Sequence, residues 1–134
     1  MHDLLVCNED NFHTIERNEG VAVVRFSAPW CPPCRDSEAL FFAFVEQLDS
    51  SVVAGVVNVD HSPVLTSRYE IWGLPSVLMF KDGQLIKRLV GGKSIEDYQQ
   101  ALTELEAATL RAYEAGSDVR ETTGATCDIG SACQ

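Results

Sequence analysis

The spacing of hydrophobic residues changes along this chain, and each spacing predicts an element. Short runs rich in β-branched and aromatic residues predict five strands, over residues 4–7, 21–26, 52–59, 76–80 and 85–90. Hydrophobic residues at helical spacing predict four helices, over residues 9–18, 34–49, 62–70 and 95–113. The resulting order β-α-β-α-β-α-β-β-α predicts an α/β fold, with a central mixed sheet and helices on both of its faces.

Finer features of the pattern indicate which residues enter the core and where the chain turns. Strand 21–26 lacks clean alternation, which is typical of a strand buried on both faces. In the second helix the expected buried stripe consists of Ser37, Phe41, Phe44, Val45 and Leu48, widened by Leu40 and Phe42. The Asp82-Gly83 pair between two hydrophobic runs predicts a hairpin turn, and Ser94 to Asp97 resembles a capping box opening the last helix.

The composition changes near the C-terminus. Residues 116–134 contain three Gly, three Thr and two Ser, with almost no large apolar side chain. Such a segment cannot bury enough surface to offset the entropy lost on ordering it. The sequence therefore predicts one domain over residues 1–115, followed by a flexible C-terminal tail over residues 116–134 that carries Cys127 and Cys133.

Composition and charge exclude several classes of protein. The apolar fraction is 46%, which excludes intrinsic disorder for the chain as a whole. The 134 residues carry a net charge of −10, so neither nucleic acid nor an anionic membrane surface is an expected partner. No apolar run approaches the roughly 20 residues of a membrane-spanning helix, and the first residues do not resemble a secretory signal. Together with five cysteines, an odd number, these features indicate a cytoplasmic protein with reactive thiols in a reducing compartment.

Two of the cysteines form the segment Cys31-Pro32-Pro33-Cys34, at the end of a predicted strand and the start of a helix. Free N–H groups at a helix N-terminus stabilise a thiolate, which is the nucleophilic form of cysteine. We expect Cys31, before the helix, to be exposed and to attack, and Cys34, one turn inside, to close on it afterwards. Pro32 and Pro33 restrict the loop and remove two N–H donors.

A structural zinc site is the alternative interpretation of this pair, and it needs two further ligands. Cys127 and Cys133 are separated by five residues, which is not a usual ligand spacing. The three histidines form no ligand pattern with them: His2, His13 and His61. We therefore expect a redox pair, with no metal and no bound cofactor.

The segment from Ala28 to Arg35, which reads APWCPPCR, resembles the active site of the thioredoxin family. Gly73-Leu74-Pro75-Ser76 resembles the cis-proline loop of that family, at a matching distance of 40 residues from Cys34. The hairpin at residues 80–83 and the glycine Gly91 are also similar, and the likeness covers about residues 4–110. The prolines and Arg35 are similar to tryparedoxins and nucleoredoxins too, although those usually have a longer segment before the cis-proline.

The resemblance implies a thioredoxin fold and a thiol–disulfide oxidoreductase, that is, a protein-disulfide reductase with Cys31 and Cys34 as catalytic residues. It implies a substrate groove beside Cys31, formed by Trp30, Leu74, Pro75 and Gly91. Trp72 either widens the apolar rim of that groove or packs beneath the loop. Protein disulfides are the implied substrates, and a separate reductase is the implied electron donor.

Two other functions remain open. One is a thioredoxin-fold binding or chaperone-like module with little redox turnover. The other is an oxidase or isomerase of an oxidising compartment, which the absence of a recognisable signal disfavours.

Four positions depart from the family pattern. Arg25 stands where thioredoxins usually bury an Asp, and the other three departures are Val56 for Lys, Ser27 for an aromatic residue and Ala39 for Pro. A guanidinium stays protonated and cannot act as the base that the Asp is thought to be. If Arg25 points towards the dithiol, its charge favours the thiolate of Cys31 and a more oxidising couple. Alternatively, it reaches the surface or pairs with a carboxylate of a helix, without effect on the thiols.

The remaining cysteines have less specific signals. Cys7, in the first predicted strand, is expected to be a small buried hydrophobic residue. Cys127 and Cys133 are either a second redox pair that exchanges disulfides with Cys31 and Cys34, or two exposed thiols without such a role.

Overall fold

One mixed sheet organises the molecule. A computed structural model describes the backbone of residues 3–119 and the side chains up to residue 107. Its strands are β1 (Leu4–Cys7), β2 (Val21–Ser27), β3 (Val53–Asn58), β4 (Ser76–Lys81) and β5 (Gln84–Val90). Its helices are α1 (His13–Glu16), α2 (Pro32–Glu46), α3 (Pro63–Arg68) and α4 (Ile95–Val119). The element order is the predicted one.

The central strand β2 separates two cores. The sheet order is β1-β3-β2-β4-β5. Strands β1, β3 and β2 run parallel, β4 pairs antiparallel with β2, and β5 pairs antiparallel with β4. Val23 faces a core that contains Phe41 of α2 and Tyr98 of α4. Val24 faces the other core, with Ile15 of α1 and Leu65 of α3. The predicted burial of this strand on both faces, and helices on both faces of the sheet, are confirmed.

Two helices differ most in length from the prediction. The predicted helix 9–18 is only the short α1, because the Asn8 side chain accepts hydrogen bonds from the N–H groups of Asp10 and Asn11 and forms a turn there instead. In contrast, α4 continues past residue 113 to Val119 and includes Gly116. One glycine costs a helix only about 1 kcal/mol, which is not enough to end it. Residues 120–134, with Cys127 and Cys133, lie outside the described residues, so the boundary of the folded domain stays a prediction.

The buried stripe of α2 is narrower than predicted. Ser37, Phe41, Phe44 and Val45 are buried, but Leu40 is 42% and Phe42 36% exposed. Neighbours of Phe41 along a helix lie 100° to either side of it, so both point away from the sheet. Leu40 and Phe42 therefore do not widen the core.

The hairpin turn and the capping box are both confirmed. Asp82 and Gly83 have φ values of 53° and 84°, as in the two-residue turn that favours Asp-Gly. At the start of α4, the Ser94 hydroxyl accepts from the Asp97 N–H, and the Asp97 carboxylate accepts from the Ser94 N–H, both at 3.1 Å.

We predict that Gly83→Ala destabilises the protein by on the order of 3 kcal/mol. The added Cβ would lie 2.1 Å from the carbonyl oxygen of Glu16, and the positive φ would be strained as well. Gly20→Ala is the matched control, because Gly20 also has a positive φ but no atom within 4 Å of the added Cβ. It should cost only about 1 kcal/mol in urea unfolding. Equal losses for the two variants would contradict the proposed contact with Glu16.

Candidate active site

Cys31 and Cys34 are free thiols at the N-terminus of α2. Cys31 is the N-cap residue, with extended backbone, and its Sγ accepts a hydrogen bond from the Cys34 N–H at 3.3 Å. Pro32 and Pro33 occupy the first turn, where a missing N–H costs nothing. The sequence therefore places the first sulfur directly at a free amide of the helix, as predicted.

The expected exposure of Cys31 is wrong. Cys31 is 5% exposed, almost as buried as Cys34 at 3%. The two cysteines pack in one small cluster with Ala28, partly covered by Leu74. Leu74 lies 40 residues farther along the chain, so no local pattern around Cys31 could reveal this cover.

Each cysteine nevertheless lines a cavity of its own. Cys31 lines a groove, a cavity of about 500 Å³ whose apolar wall includes Trp30, Val59, Ile71, Trp72 and Leu74. Cys34 lines a different cavity, of about 400 Å³, together with Arg25. The two cysteines thus line different cavities.

The groove has two exposed tryptophans. Trp30 is 62% exposed, and its indole N–H donates to the Asp60 carboxylate at 2.9 Å. Trp72 is 91% exposed, so it belongs to the rim and does not pack beneath the loop. Sequence reasoning missed Asp60 as the partner of Trp30, although its position directly after a predicted strand was a usable signal.

The loop opposite the dithiol has the geometry that the resemblance implied. The Leu74–Pro75 peptide bond is cis, and Leu74 packs against the cluster of Cys31 and Cys34. The Gly91 N–H donates to the Pro75 carbonyl at 2.8 Å, which joins the end of β5 to this loop. Trp30, Leu74 and Cys31 are brought to one groove. Pro75 and Gly91, which were expected there too, are joined by their hydrogen bond but are not among the residues that line it.

Arg25 lies beneath the dithiol, because alternation along β2 places it on the α2 face of the sheet. Its side chain is 2% exposed, and its Nη2 donates to the Cys34 carbonyl at 2.5 Å and to the Ser37 hydroxyl at 3.4 Å. The guanidinium carbon lies 5.7 Å from the centre of the Phe41 ring. Among the described residues no carboxylate is within ion-pair distance of it. The alternative in which Arg25 reaches the surface or pairs with a carboxylate is therefore wrong.

Burial controls the thiol of Cys34. Desolvation raises the pKa of Cys34 above its ordinary value, the hydrogen bond with Cys31 raises it further, and the charge of Arg25 lowers it. The net direction is upwards, so this thiol must lose a proton before it can attack.

Cys7 is a buried thiol in the other core, away from the dithiol. Burial raises the pKa of Cys7 to about 11, and the side chain is 2% exposed. Its expected role as a small buried residue is confirmed.

We predict that Arg25→Met raises the pKa of Cys34 further, because it removes a positive charge that favours the thiolate. At fixed neutral pH, alkylation of Cys34 should slow, and its pH midpoint should move upwards. The rate is measured by mass spectrometry of the Cys34 peptide, in a Cys31→Ser background for both proteins. Arg35→Met, which removes an exposed cation of the same helix, is the control. Equal midpoints with and without Arg25 would contradict the assignment.

Neither a metal cluster nor a membrane span is found within residues 3–119. No three His, Cys, Asp or Glu side chains of this range are grouped as a metal site requires. No helix of the same range is long and apolar enough to cross a membrane.

Comparisons with known proteins agree with this geometry. The family model described as Thioredoxin matches residues 3–104. A thioredoxin of Alicyclobacillus acidocaldarius is 29% identical over 75% of this chain and 96% of its own length, and thioredoxin H5 of Oryza sativa is 33% identical over 77% and 76%. The crystal structure of a Malassezia sympodialis thioredoxin superposes with a TM-score of 0.71 at 26% identity, covering 78% of this chain and 91% of that one.

Proposed function

Since the chain belongs to the thioredoxin family of thiol–disulfide oxidoreductases, we propose that it reduces disulfide bonds of protein substrates through Cys31 and Cys34. One observation carries the proposal: Cys31 lines an apolar groove while its Sγ accepts the N–H of Cys34. A nucleophilic sulfur, a resolving sulfur and a surface for polypeptide thus meet at one helix N-terminus.

In the first step the thiolate of Cys31 attacks one sulfur of the substrate disulfide. The substrate S–S bond breaks, its second sulfur leaves as a thiolate and takes a proton from solvent, and a mixed disulfide forms on Cys31. The N–H of Cys34 supports the negative charge of the attacking sulfur before this step.

In the second step Cys34 loses its proton and attacks the sulfur of Cys31. The mixed disulfide breaks, the substrate leaves with its second thiol, and Cys31 and Cys34 are joined. The substrate gains two electrons and two protons, and the protein loses the same. Arg25 cannot accept the proton of Cys34, since guanidinium is always charged, so water in the adjacent cavity or the departing substrate thiolate takes it.

The groove suits an extended polypeptide with apolar side chains. Trp30 and Trp72 present exposed aromatic surface on it, and Leu74 forms its floor beside Cys31. Pro75 and Gly91 hold the loop that carries Leu74. A separate reductase, in the cytoplasm, would return the two electrons.

A binding module with little redox turnover is the second candidate. One observation favours it: burial raises the pKa of Cys34, and the charged residue beside it, Arg25, cannot accept its proton, which makes resolution of a mixed disulfide slow. The two functions differ in whether Cys34 completes the cycle.

The deciding experiment combines a redox potential with turnover. The potential of the Cys31–Cys34 couple is measured in glutathione buffers, and reduction of insulin disulfides is followed with dithiothreitol as electron donor. A reducing couple with turnover supports the reductase, and Cys7→Ser should leave it unchanged because Cys7 is buried in the other core. A stable Cys31–Cys34 couple that does not reduce insulin would support the binding module. A strongly oxidising potential of this couple would indicate an oxidase or isomerase.

A further inference from the structure

A second cavity, separate from the groove, is lined by Cys34. Its volume is about 400 Å³, and it is bounded by Arg25 and Cys34, by the apolar side chains of Val6, Phe42 and Val56, and by polar residues that include Asn58. A cavity of this size accommodates a small organic molecule. It shares no lining residue with the groove.

The positive charge of Arg25 is incompletely compensated in this cavity. Within the part of the chain that the structure describes, only Nη2 of its guanidinium makes hydrogen bonds, and both go to neutral groups, the Cys34 carbonyl and the Ser37 hydroxyl. Nε is fully buried without a hydrogen-bond partner among the described residues. Burying a charge without an opposite charge is costly, so a negative group that reached Arg25 would gain an unusually strong interaction.

The chemistry of the walls restricts the class of anion. Arg35 and Glu38 also line the cavity, and their opposite charges largely offset one another, which leaves Arg25 as the deciding charge. One buried cation matches one negative charge, and the net charge of −10 disfavours multivalent anions. The apolar walls formed by Val6, Phe42 and Val56 suit an apolar body behind that charge.

We propose that this cavity binds a small organic monocarboxylate, whose carboxylate pairs with Arg25 and whose apolar body lies against Val6, Phe42 and Val56. Guanidinium and carboxylate groups match in geometry as well as charge. The site does not use the groove and does not depend on the proposed reductase activity. Because Cys34 borders the same cavity, a bound carboxylate would also offset the charge of Arg25 that favours the Cys34 thiolate.

The test is a titration of the full chain with hexanoate, followed by ¹H–¹⁵N spectra that include the Arg25 Nε–H. We expect saturable shifts at Arg25, Cys34 and Asn58, and slower alkylation of Cys34 in the Cys31→Ser background. Hexanamide, which has the same shape without the charge, and inorganic phosphate should both bind at least about tenfold more weakly. Equal binding of hexanamide or of phosphate would overturn the assignment of a monocarboxylate.

Two variants locate the site. Arg25→Met should weaken hexanoate binding at least about tenfold, while Arg17→Met, which removes an exposed arginine elsewhere, should leave it unchanged. Val56→Phe keeps Arg25 but fills the cavity, so it should also weaken hexanoate binding. It tests the site even where Arg25→Met fails to fold. Unchanged affinity in Val56→Phe, or no saturable shift in the unaltered protein, would overturn the proposal.

Discussion

Cys34→Ser is expected to hold a protein substrate on Cys31 as a mixed disulfide, with turnover lower by on the order of a thousandfold or more. The first attack needs only Cys31 and its amide contact, which a backbone N–H at residue 34 still provides. Release requires a second sulfur within reach of Cys31, and serine cannot supply one. Non-reducing electrophoresis after mixing with oxidised insulin should show the adduct, and dithiothreitol should release it.

Two controls assign the adduct to the correct sulfur. Cys31→Ser should form none, because Cys34 does not line the groove and its pKa is raised. Cys7→Ser alone should form no lasting adduct. Combined with Cys34→Ser it should form the same adduct as Cys34→Ser does, since Cys7 takes no part. An adduct that persists in the Cys31→Ser protein would show that another thiol attacks, and would contradict the assigned order of steps.

Phe12→Ala is expected to lower the free energy of unfolding by about 3–5 kcal/mol. Phe12 is 1% exposed and lies among three rings, with centroid distances of 5.4 Å to Tyr69, 6.0 Å to Phe80 and 6.5 Å to Phe26. The adjacent α1 has only four residues and cannot be stable by itself, so its attachment to the sheet depends on this ring together with Ile15.

Phe42→Ala is the matched control, because it removes the same ring from a position that is 36% exposed. It should cost about 1 kcal/mol or less in the same urea titrations. Losses of similar size for the two variants would show that the cluster around Phe12 is not the main attachment of α1.

The fold was predictable because its signals are local and repeated. A run rich in β-branched residues identifies β2, and Asp82-Gly83 identifies the hairpin, before any contact is known. Boundaries were less predictable where a side chain competes with the helix, as Asn8 does before α1.

The site was predictable only in part. The position of Cys31 before a helix follows from the sequence, but its burial depends on Val59 and on Leu74, which come from distant parts of the chain. The face of Arg25 follows from alternation along β2. Its contact with the Cys34 carbonyl does not, because that depends on how closely α2 packs on the sheet.

The two tryptophans of the groove give the protein an intrinsic optical signal. Trp30 and Trp72 are its only tryptophans, and both are largely exposed to water beside Cys31. Covering an indole with apolar surface shifts its fluorescence to shorter wavelength, and the rest of the chain contributes no competing indole emission. Occupation of the groove can therefore be followed in the unlabelled protein, separately from the chemistry of the sulfurs.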